Sequence, residues 1–159
     1  MAIIFLIVDY LISYYLPGNT SLVIFFSPCF FISLIITYIY FLSDKEYTFY
    51  FILLLGIIYD LLFSNTLFLY LISFYLLFNL ISYIKRKVNI SYFSYLFILV
   101  ISIIFNMFIN YSLLFIMNLI EIDISKLLIL VFRNILSSLI FSFIFYYFFK
   151  KIVIKHIKA

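Results

Sequence analysis

The sequence predicts an all-α integral membrane protein, a bundle of about six transmembrane helices. Of its 159 residues, 69% are hydrophobic and only 10% are charged, whereas a soluble domain carries roughly 25% charged residues. The apolar residues form long unbroken runs, such as 127–149, and do not alternate with polar residues as they would in a membrane β-barrel. A run of about twenty apolar residues matches one helical crossing of a hydrocarbon core roughly 30 Å thick.

The first three apolar segments are bounded by turn-forming or charged residues. They cover residues 2–16, 21–42 and 47–63. Pro17 and Gly18 close the first segment, because proline and glycine favour turns. A charged stretch that begins at Asp44 closes the second, and Ser64 begins the polar turn that closes the third. Each of these segments therefore predicts one helix.

The last three apolar segments cover residues 67–84, 92–120 and 127–149. The fifth would be ~43 Å long as one helix at 1.5 Å per residue. Tilt, or a break near Asn106 or Asn110, would fit it to the bilayer, and we expect one crossing. The chain is then a six-helix transmembrane domain, 1–149, followed by a basic cytoplasmic tail, 150–159.

The cationic residues predict the orientation, because Lys and Arg concentrate in the cytoplasmic loops of membrane proteins. With the N-terminus inside, the cytoplasmic cations are Lys45, Lys85, Arg86, Lys87, Lys150, Lys151, Lys155 and Lys158. Lys126 alone then falls in an outer loop. Both termini are therefore predicted to be cytoplasmic. We assign the net charge of +4 to this topology and to contacts of Lys85, Arg86, Lys87, Lys150 and Lys151 with anionic lipids, and expect no binding to nucleic acid.

Three charged residues lie within the apolar segments: Asp9, Asp60 and Arg133. Charges at membrane depth normally face protein or a water-filled cavity. Arg133 can pair with either carboxylate, which would join the sixth segment to the first or the third. In the alternative interpretation, Arg133 extends to the outer headgroups and Asp60 lies near the interface.

Two of the segments also carry polar residues at helical spacing. The residues recur every four positions: Ser102, Asn106 and Asn110 in the fifth segment, and Asn134, Ser138 and Ser142 in the sixth. Residues four apart share a helix face, and such faces hold membrane helices together through close approach and hydrogen bonds. We expect packing here, with a substrate path or ion relay as the alternative.

The residue types needed for catalysis are scarce. His156 is the single histidine, Cys29 the single cysteine, and Gly18 and Gly56 are the two glycines. A Ser-His-Asp triad, a Cys- or His-rich metal site and a glycine-rich phosphate loop need residues that this chain lacks. We therefore expect a non-enzymatic protein without a metal site or cofactor.

The stretch Gly-Ile-Ile-Tyr-Asp-Leu-Leu-Phe-Ser, residues 56–64, resembles the signature region of the MreD family of rod shape-determining membrane proteins. In that family a helix ends in Gly-x-x-x-Asp-Leu-Leu and is followed by a small polar turn and another apolar helix. Pro28 and the basic residues 85–87 fit the same pattern. The family often has a glycine eight positions after the aspartate, where this chain has Phe68, and a polar residue where it has Tyr70.

Gly56 and Asp60 are four residues apart and so lie on one helix face. A glycine lets another helix approach closely, and an aspartate one turn later can form hydrogen bonds across that contact. The spacing therefore predicts a helix–helix junction near the outer leaflet.

The resemblance implies a scaffold of the cell-elongation (rod-shape) machinery, or elongasome, in the bacterial inner (plasma) membrane, supporting peptidoglycan synthesis in the cell wall. It also implies as partners an MreC-like scaffold, MreB-like filaments, and the RodA glycosyltransferase with its transpeptidase. The alternative is the substrate-binding subunit of an energy-coupling-factor vitamin transporter, which has a similar size and six helices. Those subunits usually dock through an Ala-x-x-x-Ala face in the first helix, where this chain offers only Ala2.

Overall fold

A computed structural model of the chain describes residues 30–44, 46–61, 68–121 and 123–157. Helix is the only regular secondary structure among these residues, which confirms the predicted all-α class over the described ranges. The helices are α1 (Phe30–Leu42), α2 (Glu46–Tyr59), α3 (Leu69–Lys85), α4 (Tyr92–Ile116) and α5 (Ile124–Ile157).

Several predicted features lie outside the described residues. They are the first segment (2–16) with Asp9, the turn at Pro17 and Gly18, the start of the second segment with Pro28 and Cys29, the loop residue Lys45, and the polar turn that begins at Ser64.

Helix α1 is the most deeply buried of the described helices. From Phe31 to Tyr40 every residue except Tyr38 is buried. This follows from its position, because α3, α4 and α5 all pack against it. An apolar run buried on all sides has no polar face to turn outward, and the residues of α1 accordingly form the centre of the hydrophobic core.

Among the described residues, two helical stretches are long and apolar enough to cross a membrane: Tyr92–Ile116 and Leu127–Lys151, with 25 residues each. At 1.5 Å per residue each is ~37 Å long, which exceeds a hydrocarbon core of roughly 30 Å. Within Leu127–Lys151, only 18% of an apolar stretch of 18 residues is buried inside the protein. Large apolar side chains on the outer faces, such as Phe93 at 82% and Phe108 at 64% exposure, would form an aggregation-prone surface in water.

Helix α4 is continuous past both Asn106 and Asn110, so neither residue breaks it. Its N-cap is Ser91, the residue before the helix. The Oγ of Ser91 accepts a hydrogen bond from the backbone N–H of Ser94 at 3.1 Å. This bond satisfies one of the backbone N–H groups that has no acceptor within the helix. The segment therefore forms one unbroken helix from Tyr92 to Ile116, and its single crossing of the membrane stays a prediction.

The end of α4 lies at Ile116, before the predicted end of the segment at residue 120. Asn118 adopts a left-handed conformation with a φ of 56°. The N–H of Leu119 then donates to the carbonyl oxygen of Leu114 at 3.0 Å, and the N–H of Asn118 donates to that of Phe115 at 2.9 Å. These are the two bonds of a Schellman motif, which ends a helix even where apolar sequence continues.

Helix α5 is longer than the predicted 127–149 segment and runs from Ile124 to Ile157. It passes through Lys150 and Lys151 without interruption. The sequence between its two ends contains neither proline nor glycine, so nothing in the local chemistry stops the helix where the charged residues begin.

Contacts between the helices bring one set of helix ends together. The Nζ atom of Lys85 lies 2.7 Å from a carboxylate oxygen of Asp44, which joins the end of α3 to the end of α1. The ring of Phe41 stacks on that of Phe149 at a centroid distance of 6.4 Å, which places α5 at the same level. We call this the basic end of the bundle, because it carries Lys85, Arg86, Lys87, Lys150 and Lys151.

Candidate functional site at the α2–α3 junction

Helices α2 and α3 come into direct backbone contact at Gly56. A Cβ atom added at Gly56 would lie 2.9 Å from the Cα of Leu71 and 3.2 Å from the carbonyl oxygen of Tyr70. Both atoms belong to the main chain of α3, so they cannot move aside as a flexible side chain would. Every residue other than glycine would push the two helices apart here.

One turn after Gly56, the side chain of Asp60 caps the start of α3. Its Oδ1 accepts a hydrogen bond from the N–H of Tyr70 at 2.9 Å, and its Oδ2 accepts one from the N–H of Leu71 at 3.1 Å. These two N–H groups lie in the first turn of α3, where a helix has no internal acceptors to offer. The negative charge of the carboxylate is also stabilised by the positive, N-terminal end of the α3 helix dipole. Asp60 is only 4% exposed, so this junction is buried.

Aromatic rings anchor the junction to the central helix. Tyr59, the last residue of α2, stacks on Phe31 of α1 at a centroid distance of 5.5 Å and an interplanar angle of 16°. On its other side Tyr59 contacts Tyr70 at 4.3 Å. Because Tyr70 also supplies an N–H group to Asp60, the same residue takes part in both contacts. The first turn of α3 is therefore fixed to α1 and α2 together.

The residue before α3, Phe68, has a backbone that its side chain disfavours. Its φ is 73° and its ψ is 1°, in the left-handed region, and it makes no side-chain capping hydrogen bond. Glycine adopts this conformation without steric cost, whereas a residue with a Cβ does not.

We expect Phe68→Gly to leave the protein equally stable or to stabilise it by up to about 1 kcal/mol. A left-handed conformation costs a residue with a Cβ roughly 1–2 kcal/mol, and the added backbone freedom of glycine offsets about 0.5–1 kcal/mol of that gain. Little packing is lost, since Phe68 is 61% exposed. Thermal unfolding in detergent measures the change. The matched control is Phe97→Gly, at a 58% exposed position inside α4, which should destabilise the protein. An equal loss in both variants would contradict this account of Phe68.

The two predicted polar faces of α4 and α5 are both turned into the bundle. Their members are at most 1% exposed: Ser102, Asn106, Asn110, Asn134, Ser138 and Ser142. The amide nitrogen of Asn134 donates to the sulfur of Met107 at 3.1 Å, which links α5 to α4. Among the described residues, neither side-chain atom of Asn106 has a hydrogen-bonding partner.

Helix α1 contributes two polar residues to the same interior, and sequence reasoning missed both. Ser33 donates to the Oγ of Ser138 at 2.9 Å, and Thr37 lies 2.8 Å from the hydroxyl oxygen of Tyr95. A small hydroxyl residue in an apolar run gives little sequence signal, because Ser and Thr are tolerated in membrane helices by bonding to their own backbone. Thr37 forms such a bond to its own helix, because its hydroxyl donates to the carbonyl oxygen of Ser33 at 2.6 Å. These contacts join α1, α4 and α5.

The structure places Arg133 on an exposed face of α5. Both carboxylate oxygens of Asp60 accept hydrogen bonds from α3, and the pairing of Arg133 with Asp60 stays a prediction. The predicted pairing of Arg133 with Asp9 lies outside the described residues, because Asp9 does.

Within the described ranges, no group of three or more His, Cys, Asp or Glu side chains is placed to hold a metal ion. The chain matches no family model, no curated protein and no solved structure. The arrangement at the α2–α3 junction is suited to joining helices: a close backbone contact at Gly56 and a buried carboxylate that holds two amide groups.

Proposed function

We propose that this chain is a non-enzymatic, multi-pass scaffold of the bacterial cell-elongation machinery in the plasma membrane. The observation that carries the proposal is the position of Gly56 and Asp60. These residues carry the resemblance to the MreD family, and they meet α3 within one buried junction. A shared motif with a defined structural task is stronger support for kinship than a short sequence match alone.

The proposal includes six crossings with both termini in the cytoplasm. The two long apolar helices and the extensive exposed apolar surface support membrane insertion. The accumulation of exposed cations at one end of the bundle supports the orientation, since cytoplasmic ends are enriched in Lys and Arg.

The proposed mechanism is positional. Of the two long helices, α5 has the smaller buried fraction. Its outer face is available to lipid or to a transmembrane partner. We propose that such faces hold an MreC-like scaffold and RodA with its transpeptidase, while the basic end lies beside MreB-like filaments. Peptidoglycan synthesis would then be kept in one assembly with the filaments.

A second candidate is the substrate-binding subunit of a vitamin transporter. The buried polar interior favours it, because a ligand site needs a few convergent polar groups and Asn106 has an amide that bonds to no described residue. The two candidates differ in what the cell loses when the protein is removed.

Depletion of the protein from a rod-shaped cell that encodes it should round the cells within a few generations, and re-expression of the wild-type chain should restore the rod. Cell aspect ratio by microscopy measures this. A tagged chain should also co-purify with the MreC-like partner from detergent extracts. Unchanged aspect ratio combined with reduced uptake of a labelled vitamin would overturn the scaffold proposal in favour of the transporter.

A further inference from the structure

Exposed tyrosines collect at the basic end of the bundle. Tyr47 and Tyr50 at the start of α2 are 57% and 70% exposed, Tyr83 near the end of α3 is 61% exposed, and Tyr147 in α5 is 49% exposed. At the opposite end of the described structure, the large exposed apolar side chains include no tyrosine; they are Leu61, Phe68, Ile116, Met117, Leu119 and Ile124. Tyrosine favours the membrane–water interface, because its ring is apolar and its hydroxyl requires a polar partner.

The cations at this end differ in what they contact. Lys85 is largely covered, with 9% side-chain exposure, and is paired with Asp44. Arg86, Lys87, Lys150 and Lys151 are exposed. Two of these lie against tyrosine rings: the Nζ of Lys87 is 4.3 Å from the centroid of Tyr83, and that of Lys150 is 5.7 Å from the centroid of Tyr146.

The exposed cations come from two helices that are distant in sequence. Arg86 follows directly after α3, whereas Lys150 and Lys151 lie in α5. The stacking of Phe149 on Phe41 and the pairing of Lys85 with Asp44 bring both to the level of the end of α1. Because α5 continues as a helix to Ile157, its lysines are held on a rigid element at the interface. Their positive charge is therefore concentrated at one level, next to the exposed tyrosines.

We propose that the basic end binds the headgroups of anionic phospholipids through Arg86, Lys150 and Lys151, with Tyr83 and Tyr147 inserted at the headgroup level. The guanidinium and ammonium groups pair with lipid phosphates. The hydroxyl of Tyr83 accepts a hydrogen bond from the Nζ of Lys87, and its own O–H, like that of Tyr147, can donate to a headgroup oxygen. Lys85 is excluded from the lipid contact, because its charge is already neutralised by Asp44. This inference goes beyond the scaffold function and does not depend on it.

Native mass spectrometry of the purified full-length chain, released from a 1:1 mixture of phosphatidylglycerol and phosphatidylcholine, tests the proposal. The wild-type protein should retain several-fold more phosphatidylglycerol. Cations near a membrane surface attract anionic lipids, so R86Q/K150Q/K151Q should lose most of this preference, and the exposed Lys87, which the variant keeps, accounts for what remains. The preference should also weaken at high salt.

Lys126→Gln is the matched control, since it removes the same kind of charge near the start of α5, at the opposite end of that helix, and should leave the preference unchanged. Circular dichroism checks that the triple variant retains its helix content. Equal retention of both lipids by the wild-type protein would overturn the proposal, as would a folded triple variant that prefers phosphatidylglycerol as strongly as the wild-type protein does. Because the measurement uses purified protein and no cell-shape readout, its outcome is separate from that of the scaffold proposal.

Discussion

Replacing Gly56 by alanine is expected to lower the free energy of unfolding by about 1–3 kcal/mol, the usual cost of adding bulk to a packed interior. The new Cβ would lie 2.9 Å from the Cα of Leu71, which belongs to the backbone of α3. To relieve this contact, α3 must move away from α2. The movement would also lengthen the hydrogen bonds from Tyr70 and Leu71 to Asp60, so one added methyl group weakens two kinds of contact.

Circular dichroism during heating in detergent measures the loss, since the chain has no tryptophan for fluorescence. Gly56→Leu should be more damaging and fail to accumulate in membranes. Ile57→Phe is the matched control, because it adds bulk at the next position of the same helix, where the side chain is 46% exposed. We expect its unfolding temperature to stay close to that of the wild-type protein. An alanine variant as stable as the wild type would show that α2 and α3 do not pack closely at Gly56.

The helices α2 to α5 could be predicted from the sequence because long apolar runs between charged or turn-forming residues leave few alternatives in a membrane. The polar faces of α4 and α5 could also be predicted, from the spacing of their polar residues. A four-residue spacing fixes which side chains share a face, and in an apolar environment the polar face turns inward. The burial of Asn106 and Asn134, each at 1% exposure, follows from these two facts.

The ends of the helices were predicted less well, because local capping geometry decides them. Composition extended the fifth segment to residue 120, whereas the left-handed conformation of Asn118 ends α4 at Ile116. In the sixth segment the apolar run ends at residue 149, and α5 continues beyond it to Ile157. Apolar content indicates which residues are suited to a hydrocarbon core, and this is a different property from where the hydrogen-bonded helix stops.

At the candidate site, the spacing of Gly56 and Asp60 predicted a helix–helix contact but not the groups that Asp60 would bind. A carboxylate has many possible partners, and only the register between α2 and α3 brings the N–H groups of Tyr70 and Leu71 within reach. The sequence equally gave no sign that Phe68 would adopt a left-handed conformation, since that angle is rare for a bulky residue. Contacts between elements are set by tertiary packing, which a single sequence does not specify.

Asp60→Ala is expected to destabilise the protein by about 1–3 kcal/mol, the cost of leaving buried hydrogen-bonding groups without a partner. The N–H groups of Tyr70 and Leu71 both lose their acceptor, and water has poor access to a site where the aspartate was 4% exposed. Asp60→Asn should lose less, because its remaining oxygen still accepts one of the two bonds. Glu46→Ala, which removes an exposed acid from the first turn of α2, is the control and should change the unfolding temperature little. If alanine at both positions had the same small effect, Asp60 would not be holding the start of α3, and the scaffold proposal would lose its main structural support.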